Sequence, residues 1–443
     1  MKTFKLGGVH PPENKFSSGA AIEKLPLPKR AFIPVTQHLG APATVVVNRG
    51  DEVKTGQLIA KSSGFISANI HSSVTGKVFK IDNVMDVSGY KRKAIIIDTV
   101  EDNWEEGIDT SDDIVREIRL TKEQIIERLA EKGIVGLGGA TFPTQVKMMV
   151  PKGKTAEYLI INGVECEPYL TSDHRLMLEK GEEILIGATI LMKALGVEKA
   201  MVGIENNKPD AIEHLTRLSK EFKGITVHAL KVKYPQGGEK QLIKALTGRE
   251  VPSGKLPIET GCVVNNVGTT YAVYEAVQKN KPLIERVVTV TGHAAKKPSN
   301  FLTRVGTPIA ELIDHAGGMP DDLGKIVGGG PMMGKALMNT DVPVVKGTSG
   351  ILLMHEKEAP RVPVKNCIRC SRCVGVCPMG LEPFLLAQLV EHQLWEKTEN
   401  ENVMDCIECG SCQYTCPSGR PLLDYIRLGK FKVGQIIRSR GKK

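Results

Sequence analysis

Apolar and polar positions alternate in different ways along the chain, and the changes of pattern divide it. Over the first hundred residues, short β-branched runs such as Thr44–Val47 and Ile95–Ile97 stand between turn signals rich in Pro and Gly, which predicts a small β domain. Helical periodicity begins at Thr121: Thr121 and Gln124 have the spacing of a capping box, Ile125, Ile126 and Leu129 share one face, and Gly133 ends the helix. Beyond it, strand-like runs at 158–162, 200–204, 225–232 and 262–266 alternate with helix-like runs at 175–195, 208–222 and 269–279. That alternation predicts a Rossmann-like α/β domain, a parallel sheet with helices on its faces. From Arg286 to Met354 the strands shorten between Gly-rich turns, with one helix near 308–316, as in a β-grasp-like module. After Val362-Pro363-Val364 strand alternation stops, and short helices around metal centres are expected. The expected class is a multidomain α/β protein with boundaries at 1–115, 116–283, 284–358 and 359–443.

The length of 443 residues suits about three domains at roughly 150 residues each. Hydrophobic residues at 41% and charged residues at 25% exclude a fibrous or largely disordered chain. The net charge of +9 suits an acidic protein partner or a membrane surface and does not by itself argue for nucleic acid, which is not expected as a partner. No apolar run approaches the 18 or so residues that cross a bilayer, the longest lying near Ile184–Met192 between Glu183 and Lys193, so membrane association is expected to be peripheral. The first fifteen residues have no apolar signal core, so the chain is expected to stay where it is made. Ten cysteines in that setting read as metal ligands.

Eight of them form two twins. Cys367, Cys370, Cys373 and Cys377, followed by Pro378, repeat the spacing of Cys406, Cys409, Cys412 and Cys416, followed by Pro417. In this run three thiolates at three-residue intervals wrap one side of a [4Fe-4S] cube, and the fourth ligates the other cluster. One cluster is therefore expected on Cys367, Cys370, Cys373 and Cys416, the other on Cys406, Cys409, Cys412 and Cys377. Structural zinc is the alternative for paired CxxC motifs, but twelve-residue twins closed by Pro favour iron and sulfur. Cys166 and Cys262 stand outside the repeat and read as small buried side chains.

A second signal is the loop carrying Gly133, Gly136, Gly138 and Gly139 ahead of Thr144 and Lys147, where bare backbone and a helix start suit a phosphate. Asn162 and Asn265-Asn266 each close an apolar strand, at the end where open α/β sheets bind ligands. An isolated Asn there is usually a turn cap, but three together favour a cofactor cradle. The basic run Arg427, Lys430, Lys432, Arg438, Arg440, Lys442 and Lys443 reads as a solvated tail or as an anchor to anionic lipid or an acidic subunit.

The segments 50–60 and 70–78 resemble the halves of a biotinyl or lipoyl-type barrel, without the lysine that would carry the prosthetic group. Segments 136–144, 162–168, 234–239 and 263–267 resemble the FMN- and NADH-binding parts of the flavoprotein subunit of respiratory complex I. The order of all these features resembles that of the C-subunit of the Rnf ion-translocating ferredoxin:NAD oxidoreductase complexes. The resemblance implies that Gly136, Gly138, Gly139, Lys147, Asn162, Glu165, Asn265 and Asn266 cradle FMN, with Glu165 catalytic, and that Phe142, Glu167 and Glu239 lie on the NAD(H) side. The chain departs from the complex I pattern at Val164, where that flavoprotein has a carboxylate, at Gly238, where it has a second glutamate, and at Met148 and Leu256 among its adenine-gripping aromatics. It also implies two [4Fe-4S] clusters, partner subunits that include an iron-sulfur subunit fed by ferredoxin, and a place on the cytoplasmic face of the cell membrane. The rival readings are a soluble NADH-dependent cobalamin reductase and a flavin-free electron-carrying scaffold.

Overall fold

Alternate residues Ala31 and Ile33, Ile95 and Ile97, and Ile59, Ile70 and Val78 are all buried in one apolar core, as the period of two in a half-buried strand requires. In a computed structural model of the chain, which describes residues 1–440, these side chains lie between two sheets. One runs Arg30–Pro34, Lys91–Glu101, Thr75–Met85, Glu52–Val53, and the other Thr44–Val45, Leu58–Lys61, Ile70–His71. They form the N-terminal barrel-sandwich domain.

Residues before Arg30 carry no strand alternation of their own and spend their backbone groups on other sheets. Lys2 bridges Leu230, Val9 bridges Tyr234, and Ile22–Lys24 lies parallel to Ser299–Arg304.

The capping box forms at Thr121, whose hydroxyl accepts from Gln124 N while Gln124 Oε1 accepts from Thr121 N, and opens the helix Lys122–Glu131. Four parallel strands follow in the spatial order Ile225–Leu230, Ala200–Glu205, Tyr158–Asn162, Cys262–Asn266. The expected helix 175–195 is two, Ser172–Glu179 and Gly181–Leu195, because Lys180 leaves helical geometry where Gly181 packs closely on His214. Likewise 208–222 divides into Pro209–Leu218 and a short 3-10 turn. The last helix starts earlier than expected, at Val267, because Asn266 caps it.

Next comes a mixed six-stranded sheet containing Glu285–Thr291, Ser299–Arg304, Leu323–Gly328, Lys335–Ala336 and Gly350–His355, covered by the helix Ile309–His315. The C-terminal region is helical, with Pro383–Glu391 and Leu422–Arg440 packed through Leu386, Leu422, Ile426 and Val433. That buried stripe corrects the free basic tail. Arg427 and Lys430 lie on this helix and pair with Glu408 at 3.2 and 2.9 Å, and Arg440 pairs with Glu399 at 2.8 Å. Lys442 and Lys443 lie outside the described residues. Among the described residues no helix is long and apolar enough to cross a membrane.

Candidate cofactor sites

In the parallel sheet the chain turns back between Tyr158–Asn162 and Cys262–Asn266, which are neighbours with Asn162 opposite Asn266. The crevice beyond the carboxyl ends of two such strands is where open α/β sheets take ligands. Predicted residues from several segments meet there. The Asn266 side chain accepts from Gly268 N at 2.8 Å and Thr269 N at 3.3 Å, and it donates to Asp173 Oδ2 at 2.6 Å. A Cβ on Gly138 would come within 3.0 Å of Asn266, whereas one on Gly139 would meet nothing within 4 Å, so the loop packs at one glycine and is open at the next. Gly136 N donates to Phe142 O at 2.9 Å, closing the loop. Lys147, on the short helix Thr144–Met148, reaches Val264 O at 2.9 Å and Glu239 at 3.2 Å.

Asn162 holds the neighbouring loop: Nδ2 donates to Gly237 O at 2.8 Å, and Oδ1 accepts from Val164 N at 3.2 Å. Asn265 is buried, and its Nδ2 has no hydrogen-bond partner among the described residues. An orphaned amide donor, an open glycine turn and a lysine, each at or bonded to the carboxyl end of these strands, fit the polar ring edge and phosphate of a flavin mononucleotide.

Glu165 is placed differently from a free catalytic carboxylate. At φ +45° it turns back so that Oε1 accepts from Asp173 N at 2.8 Å and Oε2 from His174 N at 3.1 Å, both in the first turn of Ser172–Glu179. A carboxylate there satisfies unpaired N–H groups and the helix dipole. Burial, then Glu165, raises the pKa of the adjacent Asp173. Glu167 turns toward the six-stranded sheet, where Oε1 accepts from Met332 N and Met333 N at 3.2 and 2.7 Å, while Oε2 is buried and unpartnered. Burial pushes this carboxyl up to about 7.

Sequence reasoning missed Lys15, whose Nζ donates to the carbonyls of Glu165, Glu167 and Leu170 at 2.9, 2.9 and 2.7 Å. It also missed Asp173 and the buried Arg286, which donates to Leu137 O at 3.0 Å. A lone polar residue carries no pattern, so no sequence signal marks any of them.

The cysteines fall into two sets. Burial pushes the Cys406 thiol up to about 11, with Cys409 and Cys377 adding to it, and burial and then Cys406, Cys409 and Cys377 raise the Cys412 thiol. Cys377, Cys406, Cys409 and Cys412 line one small cavity with Leu381, Leu386 and Ile426. Cys373 is raised by burial, with Cys416 and Cys367 among the charges acting on it. Each fourth cysteine therefore lies with the other run, and two sulfur-only shells fit two cubane clusters. Their surroundings differ. In the first set Cys377, Cys409 and Cys412 are buried and Cys406 is half-buried, whereas in the second only Cys373 is buried, Cys367 and Cys416 are half-buried and Cys370 is exposed.

The buried set touches the parallel-sheet domain. Tyr234 Oη donates to Cys409 O at 2.8 Å, and Gln241 Nε2 donates to Pro378 O at 3.2 Å. Val9, Tyr234, Met332 and Cys409 form one apolar cluster, with Cys166 packed against it. The N-terminal strap is sewn into the same seam through Gly8 N to Val376 O at 2.8 Å and Val9 N to Tyr234 O at 2.8 Å.

Family models match in chain order: the RnfC barrel sandwich hybrid domain over residues 2–102, the Nuo51 FMN-binding domain over 129–275, the SLBB domain over 287–336 and a 4Fe-4S dicluster domain over 359–417. The C-subunit of the proton-translocating ferredoxin:NAD(+) oxidoreductase complex of Clostridium ljungdahlii is 49% identical over 432 residues, 96% of this chain and 93% of that protein. The Na(+)-translocating counterpart of Acetobacterium woodii is 44% identical, covering 97% of both chains, and the C-subunit of the ion-translocating oxidoreductase complex of Rhodobacter capsulatus is 43% identical, covering 98% and 84%. Among solved structures, an NAD+-reducing [NiFe]-hydrogenase in the air-oxidized state aligns with a TM-score of 0.50 at 18% identity, over 69% of this chain and 60% of that one, a likeness of fold alone.

Proposed function

The chain belongs to the C-subunit family of the ion-translocating ferredoxin:NAD oxidoreductase complexes, and from that premise we propose that it carries electrons between NAD(H) and an iron-sulfur partner subunit fed by ferredoxin. It is an oxidoreductase subunit with FMN and two [4Fe-4S] clusters as cofactors. A flavin exchanges hydride with a nicotinamide and releases electrons singly, and each cubane cluster carries one electron.

The residues of the chain hold and order these groups. In the Rossmann-like domain Gly136, Gly138 and Gly139 would offer bare backbone and Lys147 a cation to the flavin's phosphate, and Asn162, Asn265 and Asn266 would hold its ring. Glu165 acts by positioning, since both its oxygens hold the helix that presents Asp173 to Asn266. Phe142 and Glu239 would face the dinucleotide, while Glu167 ties down the β-grasp-like module through Met332 N and Met333 N.

The observation that carries the reading is the seam at Tyr234, where the carboxyl ends of the sheet strands and the buried cysteine set meet. On this reading the order is flavin, the cluster on Cys406, Cys409, Cys412 and Cys377, then the cluster on Cys367, Cys370, Cys373 and Cys416. The second set opens outward. Val362, Val364 and Ile368 beside it are 70%, 61% and 67% exposed, and residues 359–381 hold Arg361, Lys365, Arg369 and Arg372 with no acidic residue. An acidic electron-donating subunit fits that face. Ion movement belongs to partner subunits, and the chain sits peripherally on the cytoplasmic face. Identity over nearly the full length of these relatives disfavours both a soluble cobalamin reductase and a flavin-free scaffold.

Anaerobically purified protein is expected to hold FMN and about eight iron atoms per chain, and NADH is expected to bleach the flavin before the cluster absorption falls. Stoichiometric zinc in place of iron, or a preparation without flavin, would sink the reading.

A further inference from the structure

Two buried side chains from outside its own domain grip the buried cysteine set, one on each of the arms that supply its ligands. Tyr234 donates to the carbonyl of Cys409, on the arm that brings Cys406, Cys409 and Cys412. Gln241, on the helix Glu239–Thr247, donates to the carbonyl of Pro378, directly after the crossing ligand Cys377, and approaches Met379 Sδ at 3.3 Å. Tyr234 is 3% and Gln241 5% exposed, so neither bond competes with solvent. The second grip also explains Gly238. A Cβ there would stand 2.5 Å from Gln241 Oε1 and 3.2 Å from Pro235 O, so any larger residue displaces the amide from Pro378. Gly238 is where the complex I flavoprotein pattern has a glutamate, and the bare position is what lets Gln241 reach the cysteine domain.

Resting on the reading that this set holds a [4Fe-4S] cluster, we propose that Tyr234 and Gln241 form a two-point clamp that joins the flavin domain to the inner cluster and raises that cluster's reduction potential relative to the outer one. Both groups point the positive end of a dipole at the ligand backbone of a water-poor shell, and a negative charge added to the cluster is stabilised by such dipoles. Hydrogen bonding and solvent exposure are among the factors that set the potentials of these clusters. Among the described residues, no side chain of the flavin domain hydrogen-bonds the Cys367–Cys373 arm. The residues act as positioning residues, since each touches the ligand backbone.

The test is EPR at poised potentials on full-length, cluster-loaded protein, with the inner signal identified by its loss in Cys406→Ser. Tyr234→Phe and Gln241→Leu are each expected to lower the inner midpoint, by about a tenfold shift in its reduction equilibrium or ~59 mV for one electron, and to leave the outer midpoint in place. Gly238→Ala is expected to reproduce the Gln241→Leu shift, and the Gly238→Ala/Gln241→Leu double variant to equal either single one, because both act on one contact. Two midpoints unmoved in variants of normal iron content, or both moved alike, overturn the clamp and leave the electron-transfer reading standing. A wild-type protein without iron overturns both.

Discussion

The two cysteine runs are near copies in sequence, yet the molecule treats them in opposite ways. Cys406, Cys409 and Cys412, joined by Cys377, are enclosed by Leu381, Leu386 and Ile426 and capped by Tyr234 and Gln241 from the flavin domain. Of the other set, Cys367 and Cys370 stand on a segment exposed almost throughout from Arg361 to Arg372, Cys373 is buried just beyond it, and Cys416 joins them half-buried. The ligand spacing fixes what each run can hold, and the contacts of the neighbouring elements decide how each exchanges electrons. An enclosed shell exchanges only across the seam that encloses it. An exposed shell is accessible to a separate protein.

The strongest way to break this comparison is to remove one crossing ligand at a time. Cys377→Ser is expected to cut iron from about eight to about four per chain, to abolish the inner signal and to leave NADH reduction of the flavin intact while electrons no longer reach the outer cluster. Cys416→Ser is expected to cost the same iron and spare the inner signal. Loss of only the outer signal in Cys377→Ser would mean that the fourth ligands do not cross. Cys377 also lies beside the seam in which Gly8, Val9 and Tyr234 are stitched together, so its variant is expected to melt at a lower temperature than the Cys416 variant.

A smaller effect is expected on the outer face. Val364→Asp/Ile368→Asp places two acids on an apolar, basic patch that faces solvent, so the fold and both clusters are expected to persist. Electron delivery from the partner subunit is expected to weaken by about tenfold in affinity, ~1.4 kcal/mol, with NADH oxidation by artificial acceptors unchanged. Because the patch is also basic, raising salt is expected to weaken wild-type docking as charges are screened beyond a Debye length of about 10 Å at 0.1 M. Partner binding indifferent to both changes would show that the outer shell is not the entry point.

Legibility in the sequence follows the range of the interaction. The capping box at Thr121 and Gln124, the strands ending at Asn162 and Asn266 and the composition of the cysteine repeat depend on neighbours in sequence, and each leaves a local pattern. The seam does not. Tyr234 and Cys409 are 175 residues apart, and nothing within a window around either marks the other. Lys15 reaches three carbonyls about 150 residues away for the same reason. The helix Leu422–Arg440 is masked in the sequence by its many charges, although Leu422, Ile426, Gly429 and Val433 repeat at helical spacing and are buried. Asn266 and Glu165 show the same limit from the other side. Their residue type allows either a cofactor contact or a cap, and only the placement of the following helices shows that both also act as caps.

The smallest effect separates the two sides by pH. Glu205 is 1% exposed, accepts from the N–H of Lys233 at 3.2 Å and lies 3.8 Å from Lys208 Nζ, so it anchors the residue next to Tyr234. Burial, opposed by Lys208, pushes its carboxyl from the ordinary 4.5 up to about 7. The folded chain therefore binds a proton at Glu205 that the unfolded chain has lost between these values. The stabilisation this gives is complete below about pH 4.5, declines as pH rises toward 7, and is absent above it. The slope from this group is at most about 1.4 kcal/mol per pH unit. Glu205→Gln keeps a neutral acceptor for Lys233 and removes the titration, so its melting temperature relative to wild type is expected to rise between pH 5 and 7 and then level off. Among the described carboxyls, burial also pushes Glu167 up to about 7, and it too lies on the flavin side of the seam, bonded to Met332, which packs on Cys409. Spectroscopic cluster loss across the same pH range is accordingly expected to move for the inner signal and to stay flat for the outer one. A melting difference between Glu205→Gln and wild type that is constant from pH 5 to 7 would mean that the buried carboxyl does not titrate there, and that the two sides of the molecule share one pH response.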